Sequence, residues 1–290
     1  MDDGNKLSCR IRGNLRLKDF EATNPVTVGD HVEVEKNIGD EVGLISEVYE
    51  RKNYIIRKSV KLSKQIQIIA ANIDRAFMIA TLVFPKTSLG FIDRFLATAE
   101  AYNIAGGIIF NKADIYNEEV KQHAIKLKNL YENIGYKVMI VSTFEKATLL
   151  ELKEELKKKV NLFSGHSGVG KSSIINTLIP GLNLKTSAIS EQHLKGTHTT
   201  TFAEMHELPG GGYIIDTPGI REFGTIDFDK YEVSHFFPEI FKVGRLCQFN
   251  NCLHTYEKKC AVKDAVQSGD IAMSRYESYL SILSNQDIFR

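Results

Sequence analysis

The sequence predicts three domains: an N-terminal β-barrel of the OB type, a central α/β domain and a C-terminal, mostly helical domain. Three observations predict this arrangement. Short β-type segments separated by turns occupy residues 1–70, strand and helix patterns alternate over residues 71–226, and three cysteines and a histidine cluster within residues 227–290. A chain of 290 residues is long enough for two or three such units.

The composition excludes several classes of protein. Apolar residues make up 43% and charged residues 25% of the chain, as in ordinary core-forming proteins. No uncharged apolar run is long enough to span a membrane, and residues 1–4 are too acidic and polar to begin a secretory signal. We therefore expect a cytoplasmic protein with no membrane partner. The balance of 37 basic and 36 acidic residues by itself predicts no nucleic-acid partner.

The N-terminal domain shows strand signals and little helical periodicity. Polar and apolar residues alternate over Ser8–Arg12 and His31–Glu35, and Val42–Tyr49 is rich in β-forming residues. Short strands at this spacing predict a small barrel, and the OB type fits.

Positive charge is concentrated in two stretches of the chain. Residues 230–263 hold six basic residues against three acidic ones. Residues 49–64 hold one acidic residue and six basic ones, which are Arg51, Lys52, Arg57, Lys58, Lys61 and Lys64. Such stretches are either solvated surface or docking sites for a nucleic-acid backbone, so they indicate RNA only if other features do as well.

The central domain alternates between strand and helix patterns. In chain order the predicted elements are a strand at Ala76–Phe84, a helix at Ile92–Tyr102, a strand at Gly107–Phe110, a helix at Glu118–Ile134, a strand at Val138–Val141, a helix at Leu149–Val160 and a strand at Asn161–Phe163. This order predicts a parallel sheet covered by helices on both faces.

A glycine-rich loop after the last of these strands matches the pattern G-x-x-x-x-G-K-[ST]. Backbone N–H groups of such a loop and the N-terminus of the following helix attract phosphates. We expect Lys171 to bind the β- and γ-phosphates as a catalytic residue and Ser172 to bind Mg²⁺. The predicted nucleotide-binding residues here are Gly165, His166, Ser167, Gly168, Val169, Gly170, Lys171, Ser172 and Ser173.

The sequence Asp-Thr-Pro-Gly at residues 216–219 follows a predicted strand at Tyr213–Ile215. Alone, this tetrapeptide is a common turn, but its position downstream of the phosphate loop makes it informative. An acidic residue at a strand end beside that loop holds Mg²⁺ through water, so we assign Asp216 to magnesium. Gly219 is expected to offer its N–H group to the γ-phosphate.

The sequence Asn-Lys-Ala-Asp at residues 111–114 matches the N-K-x-D pattern of guanine-binding sites. A carboxylate accepts hydrogen bonds from the two adjacent donors of guanine, whereas adenine offers a donor beside an acceptor, so Asp114 is expected to select GTP and GDP. Asn111 is expected to contact the acceptor side of the base, and Lys112 to brace the loop with its aliphatic stem. Ser142 is expected to close the base pocket.

The order of these motifs differs from that of ordinary small GTPases, because the base-binding motif precedes the phosphate loop. A pocket depends on where strands end and not on chain order, so the motifs predict a circularly permuted P-loop GTPase domain. In this order the segment after residue 219 leads directly into the C-terminal domain.

Residues 196–201, with the sequence Gly-Thr-His-Thr-Thr-Thr, lie between the motifs in a polar stretch. A threonine of this loop is expected to bind Mg²⁺ when γ-phosphate is present, and we favour Thr200 over Thr199. Ile220 occupies the position where many GTPases have a glutamine that orients water. His198 is therefore the candidate catalytic residue for that water; the alternative is an exposed loop histidine.

Cys247, Cys252, His254 and Cys260 supply three thiolates and one imidazole within fourteen residues. Four such ligands leave no open position, which is typical of one structural Zn²⁺. The alternative is a set of core cysteines beside a surface histidine. We interpret Cys9 as a buried strand residue.

These motifs, in this order and with a C-x4-C-x-H-x5-C cluster behind them, resemble the RsgA (YjeQ) family over nearly the whole chain. Residues 196–201 are similar to the family's G-x-H-T-T switch. The resemblance implies OB, GTPase and zinc domains, GTP hydrolysis stimulated by the small ribosomal subunit, rRNA as a partner and a late role in assembly of the subunit. Compared with the family, the chain begins inside the first hairpin, so we expect the first barrel strand to be missing.

Two other functions remain open. The chain could be an RNA-binding scaffold in which GTP is only structural, or an ATP-using P-loop protein, against which Asn111 and Asp114 argue. We expect the protein to be a monomer.

Overall fold

The computed structural model describes residues 5–13, 24–36, 39, 41–58, 66–185, 203–217 and 228–284. Within these ranges the strands are β1 (Ser8–Ile11), β2 (Val32–Glu35), β3 (Val42–Val48), β4 (Tyr54–Lys58), β5 (Ile66–Ala71), β6 (Arg75–Ala80), β7 (Ala105–Phe110), β8 (Lys137–Ile140), β9 (Val160–Ser164), β10 (Glu204–Glu207) and β11 (Tyr213–Asp216). The helices are α1 (Leu89–Ala101), α2 (Glu118–Ile134), α3 (Lys146–Leu156), α4 (Lys171–Leu178), α5 (Pro238–Gly244), α6 (Ala261–Ser268) and α7 (Met273–Leu283).

A six-stranded sheet in the order β10-β11-β9-β6-β7-β8 carries the central domain. The last five of these strands are mutually parallel, and β10 pairs antiparallel with β11. The predicted parallel sheet is therefore confirmed for five strands. The sequence did not predict β10, because three of its four residues are polar or charged. Parallel strands bring their carboxyl ends to one edge, where ligands bind in such sheets.

Helices cover both faces of this sheet, as predicted. Successive side chains of a strand point to opposite faces, so Met78 packs in the core beneath α1 and α2, while Phe77 packs beneath α3 and α4. Leu96 of α1 belongs to the first core, and Leu152 and Ile174 belong to the second.

Two predicted elements end earlier than the sequence indicated. The apolar run to Phe84 is a strand only as far as Ala80, because the chain then turns: the Thr87 N–H group donates to the Thr81 carbonyl at 2.9 Å. Helix α3 ends at Leu156 and not at Val160. There Lys158 adopts a φ of 55°, which ends the helix, and its N–H group donates to the Gly211 carbonyl at 3.1 Å.

The predicted N-terminal strands are present as β1, β2 and β3, which form a sheet in the order β1-β3-β2. Strands β4 and β5 form a separate antiparallel pair. Among the described residues these are two sheets, so a closed OB barrel stays a prediction. Cys9 in β1 is partly exposed, and its interpretation as a buried residue was wrong, because β1 is an edge strand whose other three residues are exposed.

The C-terminal region is helical, as predicted, and has its own core of Val233, Phe237, Ile240 and Tyr279 among others. Ala97 of α1 belongs to this same core, so the region packs against the central domain. The sequence did not predict α5. None of the helices within the described ranges has both the length and the apolar composition needed to cross a membrane.

Candidate functional site

The phosphate loop lies between β9 and α4, at the carboxyl edge of the sheet. Gly170 ends the loop with a φ of 92°, a conformation that favours glycine. A Cβ atom on Gly170 would lie 2.3 Å from Nδ2 of Asn111. That Nδ2 atom donates a 2.8 Å hydrogen bond to the Val169 carbonyl. The base-binding and phosphate loops are therefore in direct contact, and Asn111 has a joining role that the sequence did not indicate.

Lys171 and Asp216 meet at the same edge. The Lys171 ammonium donates to the Asp216 carboxylate and lies 3.4 Å from the Thr217 carbonyl. This contact follows from the parallel pairing of β11 with β9, which places Asp216 beside Phe163. The structure thus brings together the two groups that the sequence assigned to phosphate and to magnesium. Ser172 and Ser173 lie half-buried in the first turn of α4.

The base-binding residues gather where β7 and β8 end. The Ser142 hydroxyl donates a 2.6 Å hydrogen bond to the exposed carboxylate of Asp114. The Ala113 N–H group donates to the Val141 carbonyl at 3.1 Å, which holds the two strand ends together. Asn111 is only 2% exposed and its Oδ1 atom has no hydrogen-bond partner among the described residues. A buried acceptor of this kind is open to a hydrogen-bond donor.

Lys112 braces this loop in a way that differs from the prediction. Its backbone adopts a φ of 64°, and its ammonium donates a 2.8 Å hydrogen bond to the Phe84 carbonyl. Burial lowers the pKa of Lys112. The ammonium group of Lys112 therefore binds the loop after β6. The aliphatic stem lies on the phosphate loop, with its Cε atom near Gly170.

His166 of the phosphate loop stacks on Phe91, with ring centroids 4.0 Å apart and an interplanar angle of 27°. Phe91 lies in the first turn of α1. No sequence motif includes Phe91, and helical periodicity alone could not have indicated this contact.

Three residues of the predicted site lie outside the described residues: His198, Thr200 and Gly219. The switch loop at residues 196–201 and Ile220 also lie there. Their predicted roles stay predictions.

The four predicted zinc ligands come together at one point. Their ligand atoms all lie within 4.8 Å of one another. The sulfurs of Cys247 and Cys260 are 3.8 Å apart, and Nδ1 of His254 is 3.6 Å and 3.4 Å from them. Tetrahedral zinc with Zn–S bonds of about 2.3 Å requires sulfurs about 3.8 Å apart. The residues therefore fit one tetrahedral Zn²⁺.

The surroundings of the cluster fix its shape. His254 is buried with a φ of 58°, and a Cβ on Gly244 would lie 3.1 Å from its Nε2 atom. The Tyr276 hydroxyl donates to the His254 carbonyl at 2.6 Å. Burial lowers the pKa of His254, which keeps the imidazole neutral and able to bind metal. Burial also raises the pKa of the Cys252 thiol to about 12, so a cation is needed to stabilise its thiolate.

Comparison with known proteins finds relatives of one family. The family model described as RsgA GTPase matches residues 48–226. A small ribosomal subunit biogenesis GTPase RsgA from Bacteroides fragilis is 51% identical over 286 residues, which span 99% of this chain and 92% of that protein. The protein of the same name from Flavobacterium psychrophilum is 50% identical, over 98% of this chain and 88% of its own length.

Two solved structures are similar over nearly the whole chain. YjeQ from Thermotoga maritima superimposes with a TM-score of 0.79 at 33% identity, covering 97% of this chain and 90% of its own. YloQ, described as a circularly permuted GTPase, gives a TM-score of 0.76 at 29% identity, covering 98% and 87%. The predicted permutation is thereby confirmed. The chain belongs to the RsgA GTPase family.

Proposed function

We propose that this GTP hydrolase acts in the late maturation of the small ribosomal subunit, in the cytoplasm and as a monomer. The observation that carries the nucleotide part of the proposal is the hydrogen bond from Asn111 to the Val169 carbonyl. It joins two motifs that are 58 residues apart in the chain into one pocket, with a base-binding end and a phosphate-binding end. The relatives named above carry the ribosomal part, because their names state that role.

Each end of the pocket has a distinct task in this proposal. Asp114 accepts hydrogen bonds from guanine, and Ser142 orients its carboxylate. The Nδ2 amide of Asn111 carries a second N–H besides the one donated to Val169, and this N–H is available to the acceptor side of the base, while Lys112 fixes the loop. The backbone of residues 165–173 surrounds the phosphates. A bound nucleotide would replace Asp216 as the partner of the Lys171 ammonium, so that Asp216 could hold Mg²⁺ through water.

Hydrolysis is proposed to depend on residues of the switch segments together with Lys171 and Ser172 of the phosphate loop motif. Ser172 and Thr200 complete the magnesium site, and Gly219 contacts the γ-phosphate. His198 positions the attacking water, because Ile220 has no polar group that could do so. Since His198 lies in the polar loop, we propose that the ribosomal subunit orders this loop and thereby raises turnover.

Zinc is proposed to stabilise the C-terminal domain. Cys247, Cys252, His254 and Cys260 would bind one ion in a closed set, and the ion would supply folding free energy without taking part in hydrolysis.

The rRNA contacts are proposed for the N-terminal and C-terminal domains, with one correction. Arg51 belongs to the predicted basic stretch, but its guanidinium donates to Asp30 at 2.6 Å and 2.7 Å, and the two side chains are 9% and 1% exposed. A buried, neutralised arginine cannot bind a phosphate backbone. Lys52 pairs with Asp74 but is half-exposed, so it remains available.

Co-sedimentation with purified small ribosomal subunits tests this function. We expect the protein to bind subunits more tightly with a non-hydrolysable GTP analogue than with GDP, and the binding to weaken as salt rises. Competition with ATP is expected to have no effect on GTP-analogue binding. Equal binding with GTP analogue, GDP and ATP would contradict the proposal, and binding without any nucleotide dependence would favour the scaffold alternative.

A further inference from the structure

Helix α1 is buried on two faces. Ile92, Phe95 and Leu96 belong to the core beneath the central sheet, whereas Ala97 belongs to the core of the C-terminal domain. Asp93 lies on the same side of the helix as Ala97, because residues four apart share a face. The helix therefore lies between the nucleotide-binding sheet and the C-terminal domain.

Asp93 forms a buried ion pair with Arg275 of α7. Their nearest atoms are 2.7 Å apart, and the two side chains are 0% and 1% exposed. The Ser278 hydroxyl donates to Oδ2 of Asp93 at 2.6 Å. The Tyr131 hydroxyl donates at 2.8 Å to Oδ1, the oxygen that Arg275 also contacts. Every oxygen of this buried carboxylate thus has a partner.

Arg275 also connects α1 with α5. Its Nε and Nη2 atoms donate to Glu239 at 2.7 Å and 3.2 Å, and its guanidinium lies 4.6 Å from the ring centre of Phe237. Burial alone would lower the pKa of Arg275, but the charges of Asp93 and Glu239 outweigh it and raise the pKa above its ordinary value. The buried guanidinium of Arg275 therefore restricts how α1, α5 and α7 can pack together. A different arrangement would separate it from Asp93 or Glu239 and leave an unpaired buried charge.

The first turn of α1, just before Asp93, also contacts the phosphate loop. Phe91 precedes Asp93 by two residues and stacks on His166 at 4.0 Å. The Ser88 side chain caps this turn by accepting a hydrogen bond from the Phe91 N–H group at 3.3 Å. Within one capped turn of helix, Phe91 and Asp93 cannot move independently.

We infer that Arg275 is a positioning residue for the phosphate loop: it fixes α1 through Asp93, and α1 fixes His166 through Phe91. The inference rests on the proposed nucleotide site. It means that packing of the C-terminal domain on α1 sets the affinity for the nucleotide. By thermodynamic reciprocity, a bound nucleotide strengthens that packing to the same extent.

Titration of the full-length protein with fluorescently labelled GDP tests the inference. Arg275→Lys keeps the charge, but one ammonium group cannot replace the three contacts that join Asp93 of α1 to Glu239 of α5, and the variant is expected to weaken GDP binding about fivefold or more. Phe91→Leu is expected to weaken binding similarly. The double variant is expected to bind no more weakly than the weaker single variant, because both changes break the same connection. Phe91→Tyr keeps the ring and is expected to bind as the unmodified protein does.

Val262→Ala is the matched control. Val262 is fully buried in the C-terminal core and is not among the described hydrogen-bond, ion-pair or ring partners of Asp93 and Phe91, so Val262→Ala is expected to lower thermal stability and to leave GDP affinity unchanged. The inference is overturned if Arg275→Lys binds GDP as tightly as Val262→Ala, or if the effects of Arg275→Lys and Phe91→Leu multiply. Should Arg275→Lys not fold, Ser278→Ala removes one hydrogen bond to Asp93 and carries the same expectation. Unmodified protein that binds no GDP would overturn the proposed function and this inference together.

Discussion

At the scale of single residues, Gly170 shows how closely the two halves of the nucleotide site approach each other. Its φ is 92°, and a Cβ atom there would lie 2.3 Å from Nδ2 of Asn111. Gly181 has almost the same φ, 91°, but a Cβ atom there would meet nothing within 4 Å. The two glycines therefore separate the cost of backbone strain from the cost of a clash.

We expect Gly170→Ala to abolish GTP binding, since it breaks the hydrogen bond from Asn111 to the Val169 carbonyl. Gly181→Ala carries only the strain of a positive φ, about 1 kcal/mol of unfolding free energy, and is expected to keep GTP affinity. Calorimetric titration with thermal unfolding measures both quantities. Equal GTP affinity of the two variants would show that the clash at Asn111 has no effect on the pocket.

Asp114→Asn is expected to weaken GTP binding at least tenfold, because two charge-assisted hydrogen bonds to guanine, worth about 1.5–3 kcal/mol each, are lost. An amide pairs with xanthine, so binding of xanthosine triphosphate should improve. Glu119→Gln, an exposed acid at the start of α2, serves as the control and should leave both affinities unchanged. Unaltered GTP binding by Asp114→Asn would refute the assignment of this carboxylate to guanine.

Residue roles that depend on local chemistry can be proposed from the sequence alone. The pattern Asn-Lys-Ala-Asp indicates a base-binding loop because its chemistry is contained in four neighbouring residues. The bond from Asn111 to Val169 and the stacking of Phe91 on His166 could not be predicted. Each joins residues far apart in the chain, and no spacing rule relates them.

At the scale of secondary-structure elements, three basic side chains converge on Glu155 near the end of α3. Arg75 of β6 donates to it, and the ammonium groups of Lys159 and Lys137 lie 2.9 Å and 3.5 Å away. Partial burial by itself raises the pKa of Glu155, but the hydrogen bond from Lys159 and the surrounding positive charges outweigh it and hold the pKa below its ordinary value of 4.5. The carboxylate thus ties α3 to the amino ends of β6, β8 and β9.

Glu155→Gln is expected to lower the free energy of unfolding at pH 7 by about 1 kcal/mol, since the groups are partly exposed. A carboxylate with a lowered folded-state pKa stabilises the fold fully above its ordinary value of 4.5 and loses that effect as the pH falls through the lower folded-state value. The difference between the variant and the unmodified protein should therefore shrink below pH 4.5. Urea unfolding across this range measures it, and a constant difference would exclude the ionic origin.

Cys252→Ser is expected to release zinc and unfold the C-terminal domain, because a structural site contributes folding free energy of roughly 10 kcal/mol or more. The serine variant of Cys9, a cysteine outside the cluster, should retain about one zinc per chain. Metal analysis and circular dichroism provide the readouts. A Cys252→Ser protein with full zinc content and a folded C-terminal domain would contradict the assignment.

Elements with strong periodicity were predictable, and those without it were not. Helix α2 has the predicted bounds because an Asn117 cap and a left-handed Gly135 mark its two ends in the sequence. Strand β10 has no apolar alternation, and it is a strand only because β11 lies beside it. Sequence patterns indicate the local secondary-structure preference of a segment, whereas an edge strand of this kind depends on pairing with its neighbour.

At the scale of the whole molecule, the order of the motifs along the chain was the most informative feature. A base-binding loop before a phosphate loop predicts a permuted GTPase, and the similarity to YloQ confirms it. The strand signals of the N-terminal domain did not predict how its strands pair, since such signals give neither register nor pairing partners. The permutation places the C-terminal domain directly after the segment to which we assign magnesium, and α1 gives that domain a second connection to the proposed nucleotide site through Asp93.

The turnover of GTP with and without purified small ribosomal subunits tests the central claim most directly. The full chain is expected to hydrolyse GTP slowly alone and at least tenfold faster with subunits, which corresponds to about 1.4 kcal/mol of activation barrier. His198→Ala should bind GTP and subunits normally but lose this stimulation, and ATP should not be hydrolysed. The same rate of GTP hydrolysis with and without subunits would contradict the account, and full stimulation of His198→Ala would return that histidine to an exposed loop residue.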